Sequence, residues 1–486
     1  MSEPRSRVTQ RVPTAPVDPK TTPVTFLGRA KLDLGSDKVA AVEDGARRLY
    51  RHRAEAVAEY PAMEEMRARA RAGRMSALRN LDRLLARFAD QVEATGGKVW
   101  WAGDAAEANA IVTRIAADAG AGLVAKSKSM VTEETELNHA LEAAGIEVVE
   151  TDLGEFIVQL GNDRPSHLIA PVLHTTRYDV ARLFADRLGV AYTDVPEELN
   201  DIARTHLRRV FLSADVGVSG VNIGIADTGT VILVTNEGNG RFVTSAPRVH
   251  IAMMGMERLV ETVDEAAAVL EVLARSGTGQ RLSVYTTMLT GPRRPGDPDG
   301  PDELHVVILD NGRSRVLGSN VAEVLACIRC GACLNVCPVY RRVGGHSYGS
   351  VYGGPVGAVL TPALEGPEQW ADLPYASTLC GACREVCPVG IDLPGLLLAS
   401  RANTALRGGL EPGLRRAVRA YAAVAARPRA WGLALAAAGQ TARLLPGKGW
   451  IESLPWYGSA WTDSRHLPRP AARSFRQRWK ERRSGA

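Results

Sequence analysis

CIRCGACLNVCPVY, residues 327–340, decides how the rest of this chain is read. Cys327, Cys330 and Cys333 stand two residues apart, and Cys337 follows three residues later with Pro338 behind it. This is the spacing of the bacterial ferredoxin run. Three thiolates at that interval can wrap one face of an iron–sulfur cubane in a tight loop. The fourth, turned out of the loop ahead of a proline, reaches a different cluster.

The string returns further on. CGACLNVCPV (330–339) aligns with CGACREVCPV (380–389), so Cys380, Cys383 and Cys387 repeat the first run and Cys327 falls on Ser377. All seven cysteines of the chain lie in these two runs. By the cross-ligation rule, cluster I takes Cys327, Cys330, Cys333 and Cys387, while cluster II takes Cys337, Cys380 and Cys383. Both are expected as 4Fe–4S cubanes. The fourth position of cluster II is open to the Ser377 oxygen, to water, to an outside group, or to no iron at all, which would leave a 3Fe–4S cluster.

Competing chemistries fit poorly. An odd number of closely spaced cysteines without an oxidising context argues against disulfides. Structural zinc takes four-ligand sets built from paired CxxC units, which seven ligands in this order do not form. The segment 341–373 between the runs is longer than a minimal ferredoxin needs. Its Gly344, Gly345, Gly349, Gly353 and Gly354, with His346, read as a glycine-rich loop that shields the clusters.

Outward from the cysteines the pattern changes. Residues 1–24, polar and rich in Pro and Thr, read as a flexible arm without the apolar core of a secretory leader. Across 40–94 the apolar residues Met75, Leu78, Leu81, Leu84, Leu85 and Phe88 recur at helical spacing. From about residue 98 short apolar runs alternate with helical stretches. Strands are expected at 99–102, 122–125, 146–150 and 167–171, and helices at 105–119, 133–144, 178–188 and 196–207. That alternation predicts an α/β domain with a largely parallel sheet. A hairpin is expected from 221–227 and 230–235, then a helix at 264–274 and strands at 282–288 and 305–310. Beyond 401 the chain reads as helical, cut into short helices by Pro412, Pro428, Pro446, Pro455 and Pro468.

Charge is unevenly spread. Residues 401–486 hold 17 Lys and Arg against 4 Asp and Glu, about +13, which leaves the remainder near −8 in a chain of net charge +5. A basic tail suits a solvated helical face, an acidic partner or an anionic membrane face. It lacks the interleaved aromatics of a nucleic-acid-binding motif, so no nucleic-acid partner is expected. No apolar run is long enough to span a membrane, and a cytoplasmic location with peripheral membrane or electron-acceptor contact is expected.

Three turns in the α/β region carry candidate binding residues. Lys126, Ser127, Lys128 and Ser129 follow a predicted strand and precede a helix, the place where α/β folds hold anions. Thr228 and Thr230 flank the hairpin turn. Asn236, Glu237 and Arg241 follow its second strand, with a carboxylate and a bidentate fork. Each could equally be an ordinary polar turn. GVSGVNIG (217–224) has the wrong spacing for a dinucleotide fingerprint. His167, His174 and His250, each beside an apolar run, read singly as satisfied core histidines.

Taken in order, KSKSM (126–130), EETELN (133–138), GIEVVETDLGEFIVQL (145–160), PSHLIAP (165–171), ADTGT (226–230), TNEGNGR (235–241), ARSGTGQ (274–280) and the two cysteine runs resemble the lactate utilization protein B family. The resemblance covers nearly the whole chain from about residue 24. It implies an α/β lactate-utilization domain, similar in fold to ribose-5-phosphate isomerase and CoA-transferase, followed by an α-helical two-cluster ferredoxin-like domain and a helical C-terminal region. The corresponding boundaries are 1–24 for the arm, 25–94 for a helical lead-in, 95–312, 313–400 and 401–486. It further implies an iron–sulfur electron-transfer subunit of a complex that oxidises L-lactate to pyruvate. Its partners would be a cysteine-rich subunit with CCG motifs and a smaller lactate-utilization-domain subunit. Ser at 377 is the usual residue of that family. The alternative is a transferase or isomerase of the CoA-transferase-like fold with structural clusters.

Overall fold

Ser36 opens the first long helix: its hydroxyl accepts the Val39 N–H at 3.3 Å and caps Asp37–Ala58. The computed structural model describes residues 25–407, 412–441, 449–454, 459–462, 465–471 and 473–484. The expected arm, 1–24, lies outside them. Helices Phe26–Asp33, Asp37–Ala58, Met63–Arg79 and Leu81–Ala94 lead in. The last buries Leu81, Leu84, Leu85, Phe88 and Val92, the apolar stripe legible in the sequence.

The described residues up to 407 form one compact unit. Its main sheet contains β1 (Lys98–Ala102), β2 (Leu123–Lys126), β3 (Glu147–Glu150), β4 (Val216–Gly220), β7 (Val249–Gly255) and β10 (Glu303–Leu309). All neighbours are parallel, in the order β1-β10-β7-β4-β2-β3. Helices cross between strands, so the sheet is buried on both faces. A second sheet joins β5 (Ile223–Ile225), β6 (Thr230–Thr235), β8 (Leu259–Val260) and β9 (Tyr285–Leu289) in the order β8-β5-β6-β9. The β5–β6 pair is the expected antiparallel hairpin.

Three expectations need correction. The segment 167–171 is not a strand but a run of bends. The Nδ1 of His167 takes the N–H of both Ile169 and Ala170 at 3.2 Å, so the backbone bonds a side chain instead of a ladder. The inner strands β4 and β7 were not expected. Gly217, Ser219 and Gly220 in β4, and Ala252 and Met253 in β7, are poor strand formers, and β7, buried throughout, has no alternation. Finally, 341–373 is only partly loop. Gly354–Glu365 is a helix, started by Pro355 and buried over most of its length.

The lead-in helices and the cysteine region share one core. Met66 and Ala70 pack in it with Val269 and Val272 of helix Val263–Gly277 and with Leu325, Val356 and Leu360. The described residues beyond 407 belong to a second unit. Its described part has helices Pro412–Ala425, Pro428–Thr441, Ser459–Thr462 and Phe475–Ser484. A two-residue antiparallel ladder, Trp450–Ile451 with Leu467–Pro468, joins the helices that were expected alone. Pro412 and Pro428 start helices rather than end them, as a residue without an N–H can at a first turn. No helix among the described residues is long and apolar enough to cross a membrane.

Candidate metal centre

The two cysteine runs fold alike. Arg329 and Leu379, each one residue before the second cysteine position, are left-handed with φ of 60° and 55°. Gly331 and Gly381 follow with φ of 77° and 88° and start the short helices Ala332–Val336 and Ala382–Glu385. A left-handed residue is costly without glycine, and its recurrence in both runs marks a loop held for a purpose. The Arg329 N–H donates to Cys327 Sγ at 3.4 Å, and the Leu379 N–H donates to Ser377 Oγ at 3.1 Å. Ser377 Oγ therefore takes the place that Cys327 Sγ holds in the first run.

The thiols gather in two groups. Cys327, Cys330, Cys333 and Cys387 line one small pocket with Leu168, Val356 and Ile391, partly open to solvent. Cys337 lies instead with Cys380 and Cys383, whose charges act on one another. Cys330, Cys333, Cys337, Cys383 and Cys387 are buried, and Cys380 is exposed. Burial pushes all five buried thiols up, Cys383 to about 12. Thiols so disposed ionise only beside a strong cation, which suits metal ligation and not free thiolate chemistry.

Guanidinium groups surround the first group. Arg53 donates to the Val386 carbonyl at 3.1 Å, and Arg67 donates to the Cys387 carbonyl at 2.8 Å. Arg71 reaches the Val389 carbonyl at 2.9 Å, and Arg258 the Cys327 carbonyl at 3.2 Å. Among the described residues the Nε and Nη1 of buried Arg329 meet no oxygen acceptor, and neither does the Nε of Arg53. Buried donors left unpaired are expensive. Orphaned cationic donors beside four converging thiols fit an anionic cluster bound there. Sequence reasoning missed these arginines, since isolated arginines in helical stretches read as surface charge.

A histidine ties the first run to the α/β fold. His167 Nε2 donates to Asn335 Oδ1 at 2.9 Å, since its Nδ1 already accepts two backbone N–H groups. Burial holds its pKa down to about 4, so it is neutral. Gly345 lies so close to Ser166 that a Cβ would fall 1.7 Å from the Ser166 carbonyl oxygen, so no larger residue fits without moving backbone. Nearby, Asp163, His174 and His346 bring metal-capable atoms within 4.8 Å of one another. Lys38 neutralises Asp163 at 2.9 Å, and Ser166 Oγ bonds His174 Nδ1 at 2.7 Å, so this cluster is internally satisfied.

The candidate anion residues divide. Lys126 is fully buried, with its ammonium 2.8 Å from Glu133 and 2.7 Å from Glu150. Burial pushes Lys126 down, and the two glutamates more than reverse that. Lys128 is 2.8 Å from Glu155. Ser127 is buried, and Ser129 caps the helix that starts at Met130. Both ammonium groups are therefore engaged by the protein's own carboxylates. Glu237 Oε2 accepts the Leu153 N–H at 2.8 Å, near the same sheet end, and burial raises its carboxyl to about 7. Asn236 bonds Gln280 at 3.0 Å and Arg241 pairs with Asp299 at 2.9 Å, both at the surface. Thr228 and Thr230 bond one another at 2.7 Å in a turn packed on helix Leu81–Ala94, apart from the lysines. The structure does not gather these residues into one pocket.

Comparison with known proteins agrees with this architecture. Residues 85–309 match the LUD domain, 323–391 the 4Fe-4S dicluster domain, and 411–484 the C-terminal domain of lactate utilisation protein B. The chain is similar to lactate utilization protein B of Bacillus licheniformis, 46% identical over 91% of this chain and 93% of the relative. It is 45% identical to that of Macrococcus caseolyticus over 94% of this chain and 97% of the relative. It is 44% identical to an uncharacterized electron transport protein of Escherichia coli, over 91% and 93%. A crystal structure of a DUF162 family protein from Deinococcus radiodurans covers 47% of this chain and 98% of that one, at 16% identity and a TM-score of 0.27. With its lactate-utilization domain and dicluster ferredoxin domain, this chain is an iron–sulfur protein of the lactate utilization protein B family.

Proposed function

We propose that the chain is the electron-transfer subunit of a complex that oxidises L-lactate to pyruvate. Its partners in this reading are a cysteine-rich subunit with CCG motifs and a smaller lactate-utilization-domain subunit. Cluster I is assigned to Cys327, Cys330, Cys333 and Cys387. Cluster II is assigned to Cys337, Cys380 and Cys383, with Ser377 at the fourth corner. The observation that carries the reading is the crossing of the two runs: Cys387 faces the first run's thiols and Cys337 the second's. In dicluster ferredoxins this crossing brings two clusters close together.

When bound, the clusters supply one-electron transfer to a reaction that releases electrons in pairs. The protein's own residues hold the thiols in place, cover cluster I with arginines, and leave the Cys380 end at the surface, where an electron acceptor could approach. The working division of the chain keeps 25–94 as lead-in, 95–312 as the α/β domain, 313–400 as the cluster domain and 401–486 as the basic tail. The transferase or isomerase alternative is less favoured. It needs a free cation at the 126–129 turn, and both lysines there are paired.

The test is anaerobic. The chain is reconstituted with both partner subunits and L-lactate is added. Bleaching of the cluster absorbance within turnover time is expected. Clusters that dithionite reduces but lactate does not would refute the reading.

A further inference from the structure

A chain of buried charges runs from the end of the parallel sheet to Cys327. It begins at Glu134, behind the 126–129 turn. Arg313, just beyond β10, clasps Glu134 with two bonds of 2.8 Å and reaches Glu257 Oε2 through Nε at 2.6 Å. Glu257, just beyond β7, lies 3.5 Å from Arg329 Nη2 and 3.7 Å from Arg258 Nε. Arg329 stands two residues from Cys327, and Arg258 holds the Cys327 carbonyl. Tyr352 closes the ring: its hydroxyl donates to Glu134 at 2.6 Å, and the Arg329 guanidinium lies 4.8 Å from the centre of its ring. Arg74 caps the assembly by donating to the carbonyls of Glu257, Leu259 and Leu325.

The charges do not balance within the protein. Arg74, Arg258, Arg313 and Arg329 face only Glu134 and Glu257, and all six are buried. A surplus of positive charge in a dry interior is costly unless an anion is buried with it. The surplus faces the first thiol group: Cys327 is the leading charge partner of Arg329, and Arg258 holds the Cys327 carbonyl at 3.2 Å. Each electron accepted by a thiolate-bound cluster adds negative charge there. A fixed cation favours that state and a fixed anion opposes it. Net charge and hydrogen bonds to sulfur are among the levers by which proteins set these potentials. Among the described residues the second thiol group has Arg341 beside Cys337 but no such ring, and its Cys380 faces solvent.

We propose that Arg329 and Glu257 are positioning residues that set the reduction potential of cluster I in opposite directions, Arg329 raising it and Glu257 restraining it. Through Arg313 and Glu134 the same ring links cluster I electrostatically to the C-terminal end of the sheet. A change of charge at that end of the sheet would therefore be felt by cluster I before cluster II. This rests on the two-cluster assignment above.

The test is an EPR-monitored redox titration of the full-length, anaerobically purified chain, with cluster II as internal reference. R329Q is expected to shift the cluster I potential downward, E257Q to shift it upward, and R329K to leave it near wild type. Cluster II should move less than cluster I in every variant. A merely structural role would move R329Q and E257Q the same way, or neither, and that result overturns the inference. If R329Q fails to assemble cluster I, R258Q takes its place with the same expected sign. E257Q also decides by its sign alone. A wild-type protein without two separable cluster signals would instead refute the underlying assignment, before any variant is measured.

Discussion

The two cysteine runs have nearly the same sequence and backbone, yet they sit in opposite surroundings. In the first, Leu334 and Asn335 follow the third cysteine and both are buried, Asn335 against His167. In the second, Arg384 and Glu385 stand at the equivalent places and face solvent. Cys330 is buried where its counterpart Cys380 is exposed. A short motif thus dictates loop geometry through a left-handed residue and a glycine. The dielectric around the bound group is dictated by side chains that the motif does not contain. Arg53, His167 and the adjacent Glu257 and Arg258 come from three distant stretches and all serve the first run. Two clusters with a common origin can therefore differ in what they do.

The sharpest way to break this comparison is to remove one buried and one exposed ligand. Cys333→Ser should abolish cluster I and leave its thiol-lined pocket unfilled beside the shared core. The lost packing and ligation are expected to lower Tm by about 10 °C, at the 2–4 °C per kcal/mol typical of large domains. Cys380→Ser should abolish or loosen only cluster II, with a change in Tm of no more than about 2 °C. Iron and sulfide analysis beside thermal melts checks both. Equal destabilisation by the two variants would mean that the environments do not differ in weight.

Acid sharpens the comparison at a second point. His167 titrates at about 4 in the folded chain, against about 6.5 when unfolded. Between those values the unfolded state binds a proton that the folded state refuses. Stability is therefore full above pH 6.5 and falls as the pH drops toward 4, by about 3 kcal/mol in all. His167→Gln can still accept and donate on the same partners but does not titrate. It should flatten the fall in denaturation midpoint between pH 6.5 and 5. No histidine stands in the second cysteine run, where Glu385 replaces Asn335. An unchanged acid slope in the variant would remove His167 as the cause.

The sequence carried the iron–sulfur character of the cysteine region, the hairpin, strands β1 to β3 and the amphipathic lead-in, because each rests on local spacing. It did not carry β4 or β7, whose glycines, alanines and methionines are tolerated only because both sheet faces are covered. Nor did it carry the bends at 167–171, which a side chain imposes from within an apolar string. The ring of Arg74, Glu134, Glu257, Arg258 and Arg313 was invisible for another reason. Charged residues in isolation read as solvent-facing, and only their convergence in three dimensions shows that they share one buried site. One signal was present: Glu257-Arg258 follows, after Met256, the mostly apolar and small β7 segment VHIAMMG (249–255), an abrupt place for two charges. The lysines of the 126–129 turn misled in the opposite sense. They stand where an anion would bind, but Glu133, Glu150 and Glu155 have taken that role.

The smallest structural change tests the remaining asymmetry, the missing eighth cysteine. Ser377 Oγ accepts the Leu379 N–H just as Cys327 Sγ accepts the Arg329 N–H, so a thiol at 377 would inherit a preformed loop. Ser377 is only half-buried, so Ser377→Cys should alter stability by less than about 0.5 kcal/mol. Its effect should appear in cluster II instead. A fourth thiolate would retain the iron that three thiolates and a weak oxygen ligand lose on oxidation, bringing the air-exposed protein to about eight irons per chain. Ser377→Ala separates the two roles of the oxygen. If Oγ ligates iron, the alanine variant loses iron faster than wild type. If Oγ only braces the loop, wild type and alanine lose it alike and the cysteine variant still gains. Equal iron retention in all three proteins would show that cluster II is already closed by another ligand, and the two runs would then be alike in ligation though not in burial.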